Sequence, residues 1–162
     1  MGEAVSGEHH IAEMRKDRRL IAYQHRVRYH ETDTQTFLFN ARYMELADVA
    51  MTEWFRAIGH PYPGLLDDGL DPSVVKAEIT FSRPAKFDDV IDVDVTCLSV
   101  GRSSFSLRFA MSRGGEPVSE VRLVYVNVDT ATERSRPLPE SVAQTLRGLV
   151  EPSPTAAHGG AE

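Results

Sequence analysis

The chain has 162 residues, a formal net charge of −6 at pH 7 and a single cysteine, Cys97. That length suits one domain with a core of its own, and an acidic balance with interspersed charges and no basic stripe excludes a nucleic-acid partner. One cysteine excludes an intramolecular disulfide and a cysteine-based metal site, and no apolar run approaches the ~18 residues of a membrane helix, so a cytoplasmic protein without a membrane partner is expected.

Residues 1–20 mix charges of both signs without a sustained apolar face and read as a polar arm. His9 and His10 belong to that arm and are read as solvated, so no metal site is expected. From Ala22 the chain alternates, with Tyr23, His25, Val27 and Tyr29 on one side and Gln24, Arg26 and Arg28 on the other, which predicts a half-buried strand ending with Tyr29 on its apolar face.

A loop with one acid, Asp33, then leads to Asn40, a residue type that favours the N-cap of a helix. From Ala41 to Ile58 the apolar residues recur at helical spacing: Tyr43, Ala47, Ala50, Trp54 and Ile58, flanked by Met44, Met51 and Phe55. The width of that stripe predicts a helix largely wrapped by a sheet. Gly59 is placed to end it, and Pro61 and Pro63 prevent its resumption. His60 to Pro72 reads as a loop, placed to cover a pocket mouth.

Four alternating runs follow, built on Val75 to Phe81, Ile91 to Cys97, Phe105 to Met111 and Val121 to Tyr125, each predicted to have one core face. Pro84, Gly101-Arg102 and Gly114-Gly115 separate them, and such short connections make antiparallel neighbours. Val118, Val124, Val126 and Val128 form a second apolar face on the last run, expected to meet another subunit or element. A polar stretch, an amphipathic segment from Ser141 to Val150 and a hydrophilic tail, residues 151–162, complete the chain. The folded domain is therefore residues 21–150, an α+β unit with a helix on a curved antiparallel sheet.

Asp33 and Asn40 carry two readings. They are common turn and capping residues. An acid beside a helix N-terminus, where amides are unpaired and partial charge is positive, is also the layout that acyl transfer needs. The stretch YHETDTQTFLFNARYMELADVAMTEWFR resembles the signature of hotdog-fold acyl-CoA thioesterases of the 4-hydroxybenzoyl-CoA thioesterase class, matching it at Tyr29 and Asp33. Seven residues after the acid, Asn40 replaces the His or Tyr usual there. The run AEITFSRPAKFDDVIDVDVTCLSVGRSSFSLRFAM is similar to the same family's later segments, so the resemblance covers about residues 22 to 147.

That resemblance implies a hotdog fold, a curved antiparallel sheet wrapped around one long central helix, working as a homodimer or homotetramer with sites at subunit boundaries. It implies hydrolysis of an acyl-CoA or acyl-carrier-protein thioester with no cofactor beyond the CoA of the substrate. Asp33 would be base or nucleophile, Tyr29 a positioning residue, and the amides of Asn40 and Ala41 the oxyanion donors. Arg102 and Ser103 in the GRSS turn would meet CoA; Arg83 and Lys86 are further basic candidates, with exposed turn charges the stronger reading for them. A hotdog dehydratase or hydratase and a non-catalytic acyl-CoA or small-ligand binding protein are the alternatives.

Overall fold

The computed structural model describes residues 21–152; the N-terminal arm with His9 and His10, and the tail from 153 on, lie outside the described residues. Strand β1 (Ile21–Arg26) is followed by a 3-10 turn (Tyr29–Glu31), helix α1 (Arg42–Ala57), helix α2 (Tyr62–Asp67) and strand β2 (Pro72–Phe81). Strands β3 (Val90–Val100), β4 (Ser104–Arg113), β5 (Glu116–Asp129) and β6 (Arg134–Ser135) precede helix α3 (Glu140–Leu149). The sheet order is β1-β3-β4-β5-β2, every neighbour antiparallel, with β6 pairing the end of β5.

The curl of that sheet comes from bulges in β1, β2, β3 and β5, which bend each strand and add twist. Gly114 and Gly115, at φ +55° and +84°, make the tight β4–β5 hairpin that needs two left-handed residues in succession. Helix α1 lies across the sheet and buries Tyr43, Leu46, Ala47, Ala50, Met51, Trp54 and Phe55. Its two buried alanines permit close approach, while Phe55 meets Phe105 edge-on at 5.8 Å and Phe105 stacks on Tyr125 at 5.0 Å. Each such ring removed from water stabilises the fold by about 1.5–3 kcal/mol. Gly59, at φ +88°, ends the helix as the sequence predicts.

Helix α3 sets Val142, Ala143 and Leu146 into the core, and beyond it Val150 bridges to Cys97 in parallel, covering the half of β3 that β1 leaves unpaired. Cys97 is sealed there, and burial pushes its thiol up to about 12. Asn127 is fully buried yet satisfied: its side chain accepts the Asp71 amide at 2.8 Å and donates to the carbonyls of Gly69 and Pro137 at 3.0 and 2.9 Å.

Four expectations fail, each for a physical reason. The first strand stops at Arg26 because Val27 is turned away by its backbone bonds with Asp88 and Asp89, so Tyr29 is 80% exposed in the 3-10 turn instead of lying on an apolar face. Asn40 does not cap α1: a tight turn closed by the Arg42 amide on the Phe39 carbonyl moves the cap to Ala41, which has no side-chain bond to offer. The expected loop from His60 to Pro72 contains α2, started after Pro61 and anchored by buried Leu65, with Leu70 buried behind it. Finally, β2 has no fully buried face, with Val74, Val75 and Phe81 at 46%, 60% and 53% exposure, because it is the last strand of the sheet and reaches the core and α1 only at its far end, through Ile79 and Phe81. On β5, Val118 is fully buried, whereas Val124, Val126 and Val128 are half-buried.

Candidate active site

The loop between the 3-10 turn and α1 is held at both ends. The Glu31 carboxylate accepts the Arg28 amide at 2.7 Å and meets His25 Nε2 at 2.8 Å, with Tyr23 Oη 3.1 Å from His25 Nδ1. Burial pushes the Glu31 carboxyl up, but the Arg28 amide and His25 together outweigh it and hold the group below its ordinary value. The Glu31 carbonyl accepts the Phe39 amide at 2.9 Å, so one buried residue ties the start of the loop to the residue that precedes Asn40. On the other flank, the Leu38 amide donates to Ala85 at 2.8 Å, joining the loop to the connection between β2 and β3.

Within this frame Asp33 plays the turn role that its residue type suggests. Its Oδ1 accepts the amides of Gln35 and Phe37 at 2.8 and 3.1 Å, and its own amide donates to the Phe37 carbonyl at 2.8 Å. Thr36 is forced to φ +64°, a costly conformation for a β-branched residue and a sign of a tightly constrained loop. Oδ2 of Asp33 has no partner among the described residues. One oxygen therefore builds the loop and the other stays available for chemistry.

A depression of about 500 Å³ opens here, lined by Asp33, Asn40, Tyr43, Phe81 and Arg83 with Phe37, Leu38, Phe39, Ser82 and Pro84 between them. Tyr43 is 2% exposed, its ring edge-on to Phe81 at 5.1 Å, and burial raises its hydroxyl pKa. At the start of α1 the amides of Asn40 and Ala41 meet no acceptor among the described residues. Asp33 and Asn40 thus line one pocket at the entry to a helix, an arrangement suited to activating water and stabilising an oxyanion.

Of the predicted residues, the structure brings Asp33 and Asn40 together as pocket lining. Ala41 follows directly at the helix entry. Tyr29 lies outside, edge-on to Phe87 at 6.2 Å. Arg102 and Ser103 are on the β3–β4 turn, where the Ser103 carbonyl accepts the Asn127 amide, and Asn127 pairs with Pro72. They therefore mark the Pro72 end of the sheet, about 30 Å along the strands from the Phe81 end at a rise of about 3.3 Å per residue. The segment from His60 to Pro72 does not line the depression. Sequence reasoning missed the Tyr23–His25–Glu31 chain of contacts and the contribution of Tyr43 and Phe81; the signal available for the first was a histidine and an acid flanking the end of a strand. Among the described residues no group of three or more His, Cys, Asp or Glu is arranged to hold a metal.

Comparison with known proteins agrees with this architecture. The acyl-CoA thioester hydrolase YbgC of Escherichia coli O6:H1 is 24% identical over 123 residues, 75% of this chain and 92% of that protein. The 1,4-dihydroxy-2-naphthoyl-CoA hydrolase of Synechococcus elongatus is 22% identical over 127 residues, 77% of this chain and 93% of that protein. A thioesterase of Thermus thermophilus, solved with coenzyme A and Zn, superposes with a TM-score of 0.67 at 26% identity, covering 77% of this chain and 95% of that one. The fold is the hotdog, with α1 as its central helix. The model of the thioesterase-like superfamily matches residues 27–146, from the bend after β1 to the last helix, and the chain belongs to that family.

Proposed function

We propose that this chain hydrolyses acyl-CoA or acyl-carrier-protein thioesters to a free acid and a thiol. The observation that carries this reading is that Asp33, with its free Oδ2, lines one pocket with Asn40, whose amide, like that of Ala41 after it, is unpaired among the described residues. With Asp33 as base, Oδ2 takes a proton from water while the water oxygen bonds to the thioester carbon. The carbonyl electrons move to oxygen, where the Asn40 and Ala41 amides stabilise the charge. Collapse breaks the C–S bond, the sulfur leaves as a thiolate, and the proton held by Asp33 returns to it. With Asp33 as nucleophile, Oδ2 bonds to the carbon, the C–S bond breaks and the thiolate departs, leaving a mixed anhydride. Water then cleaves the anhydride, restoring the Asp33 carboxylate, releasing the free acid and supplying the proton that the thiolate takes up. Asn40 serves either course through its backbone and as a neutral donor to the carbonyl or water. Tyr29 acts only from outside, by shaping the loop.

The site is completed by a second copy. Edge strand β2 exposes Val74, Val75 and Phe81, and antiparallel pairing of two such edges brings the Pro72 end of one protomer beside the Phe81 end of the other. Arg102 and Ser103 of the partner then approach the pocket, with Arg102 supplying charge to CoA phosphates. Among the described residues no histidine lines the depression, which favours hydrolysis over the dehydratase reading.

The test is thiol release from aliphatic and aromatic acyl-CoAs by wild type and Asp33→Asn. Because the amide keeps an acceptor oxygen for the Gln35 and Phe37 amides, the loop is retained, and kcat is expected to fall at least about 100-fold. Absence of turnover on every thioester, or an unaffected variant, overturns the reading.

A further inference from the structure

We propose that Arg83, assisted by Lys86, is a specificity residue that pairs with an anionic oxygen of the substrate, a carboxylate on the acyl group or a phosphate of the donor. The inference rests on the thioesterase reading and names what that pocket selects. Arg83 lines the same depression as Asp33. Its backbone is fixed: the amides of Ser82 and Arg83 both donate to the Val118 carbonyl, at 2.9 and 3.1 Å, Pro84 follows, and Ala85 holds the Asp33 loop through Leu38. Its head group is not fixed. The contact of Nη1 with the Pro117 carbonyl is 3.4 Å, long for a hydrogen bond, and no carboxylate of the described residues pairs with the guanidinium.

Of the acids near this rim, Asp33 lines the pocket together with Arg83, while Asp88 and Asp89 have other partners. Asp89 is held by Arg113 at 2.7 Å, and its carboxylate also accepts the Lys86 amide at 2.8 Å, while Asp88 pairs with Arg26 at 3.2 Å. The Lys86 ammonium has no acid partner among the described residues and sits 6.0 Å from the centre of the Phe37 ring, itself part of the pocket lining. In a chain of net charge −6, two cations without an ion-pair contact among the described residues flank the proposed centre. Guanidinium groups bind carboxylate and phosphate oxygens through paired, charge-assisted hydrogen bonds, and an aromatic wall lowers the competition from water.

Four thioesters separate the sources: hexanoyl and adipoyl groups, each on CoA and on N-acetylcysteamine, which lacks phosphates. For Arg83→Gln, kcat/KM is expected to fall about tenfold more on anionic than on neutral substrates, chiefly through KM, with Arg83→Lys recovering part of the loss. A loss confined to adipoyl thioesters assigns the anion to the acyl group. One confined to CoA thioesters assigns it to phosphate. Equal losses on all four, or none, overturn the proposal. Should wild type cleave none of them, the hydrolase reading fails separately; calorimetric binding of adipate and of CoA to wild type and Arg83→Gln then decides, and indistinguishable affinities reject the role of Arg83.

Discussion

Strands β4 and β2 read alike in sequence, each alternating apolar and polar residues, yet they end in opposite surroundings. In β4 the apolar series Phe105, Leu107, Phe109 and Met111 is entirely buried; in β2, Phe81 and Val75 are more than half exposed. The difference is position in the sheet. β4 has neighbours on both sides and packs Phe105 on α1, whereas β2 has only β5 as a neighbour and meets α1 at its end, through Phe81 on Tyr43. Alternation therefore tells which side chains share a face, and the apolar face left bare on β2 identifies where a second surface belongs.

Truncating one residue on each strand tests this contrast most severely. Phe109→Ala is expected to cost about 3–5 kcal/mol and Ile79→Ala less than about 1.5 kcal/mol, read from urea midpoints at low protein concentration. Equal costs would mean that β2 is as well packed as β4. Next, Val75→Lys puts a charge on the exposed edge, where it changes the stability of the isolated fold by no more than about 0.5 kcal/mol. If the edge is a subunit boundary, sedimentation shows the variant shifted to smaller species, with thioester turnover reduced alongside; an unchanged assembly refutes that use of β2.

The smallest effect concerns the covered side, where His60 Nε2 lies 3.0 Å from Thr145 Oγ1 and links the end of α1 to α3. Burial lowers the His60 pKa. The unfolded chain then binds the proton more readily, so this contribution is fully present above the ordinary histidine value of about 6.5 and is lost as pH falls through it toward the lower folded value. His60→Gln is expected to flatten the stability profile in that window, as followed by thermal melts; an unchanged slope contradicts the assignment.

Much of the fold was legible because local rules and packing agree. Tyr43 to Trp54 repeat at helical spacing on the face that is buried, Gly59 and Gly114-Gly115 adopt the left-handed conformations asked of them, and Ile91 to Tyr125 alternate into a real core. What escaped notice depended on distant contacts. Glu31 reads as a solvent-facing charge until His25 and the Arg28 amide are seen to satisfy it, and nothing near Val75 says that its sheet ends there. The candidate site was half legible for the same reason: Asp33 and Asn40 are close in sequence, while Phe81 and Arg83 reach them through distant contacts such as the backbone bond between Leu38 and Ala85 and the Tyr43–Phe81 ring pair.

The sealed thiol of Cys97 bears on how such a catalyst lives with what it makes. Thiolates, not thiols, attack disulfides, and a group raised to about 12 is almost wholly protonated at neutral pH. As the only cysteine in the chain, it offers oxidised coenzyme A no sulfur with which to form a mixed disulfide. Released thiols can accumulate and oxidise around the protein without capping it.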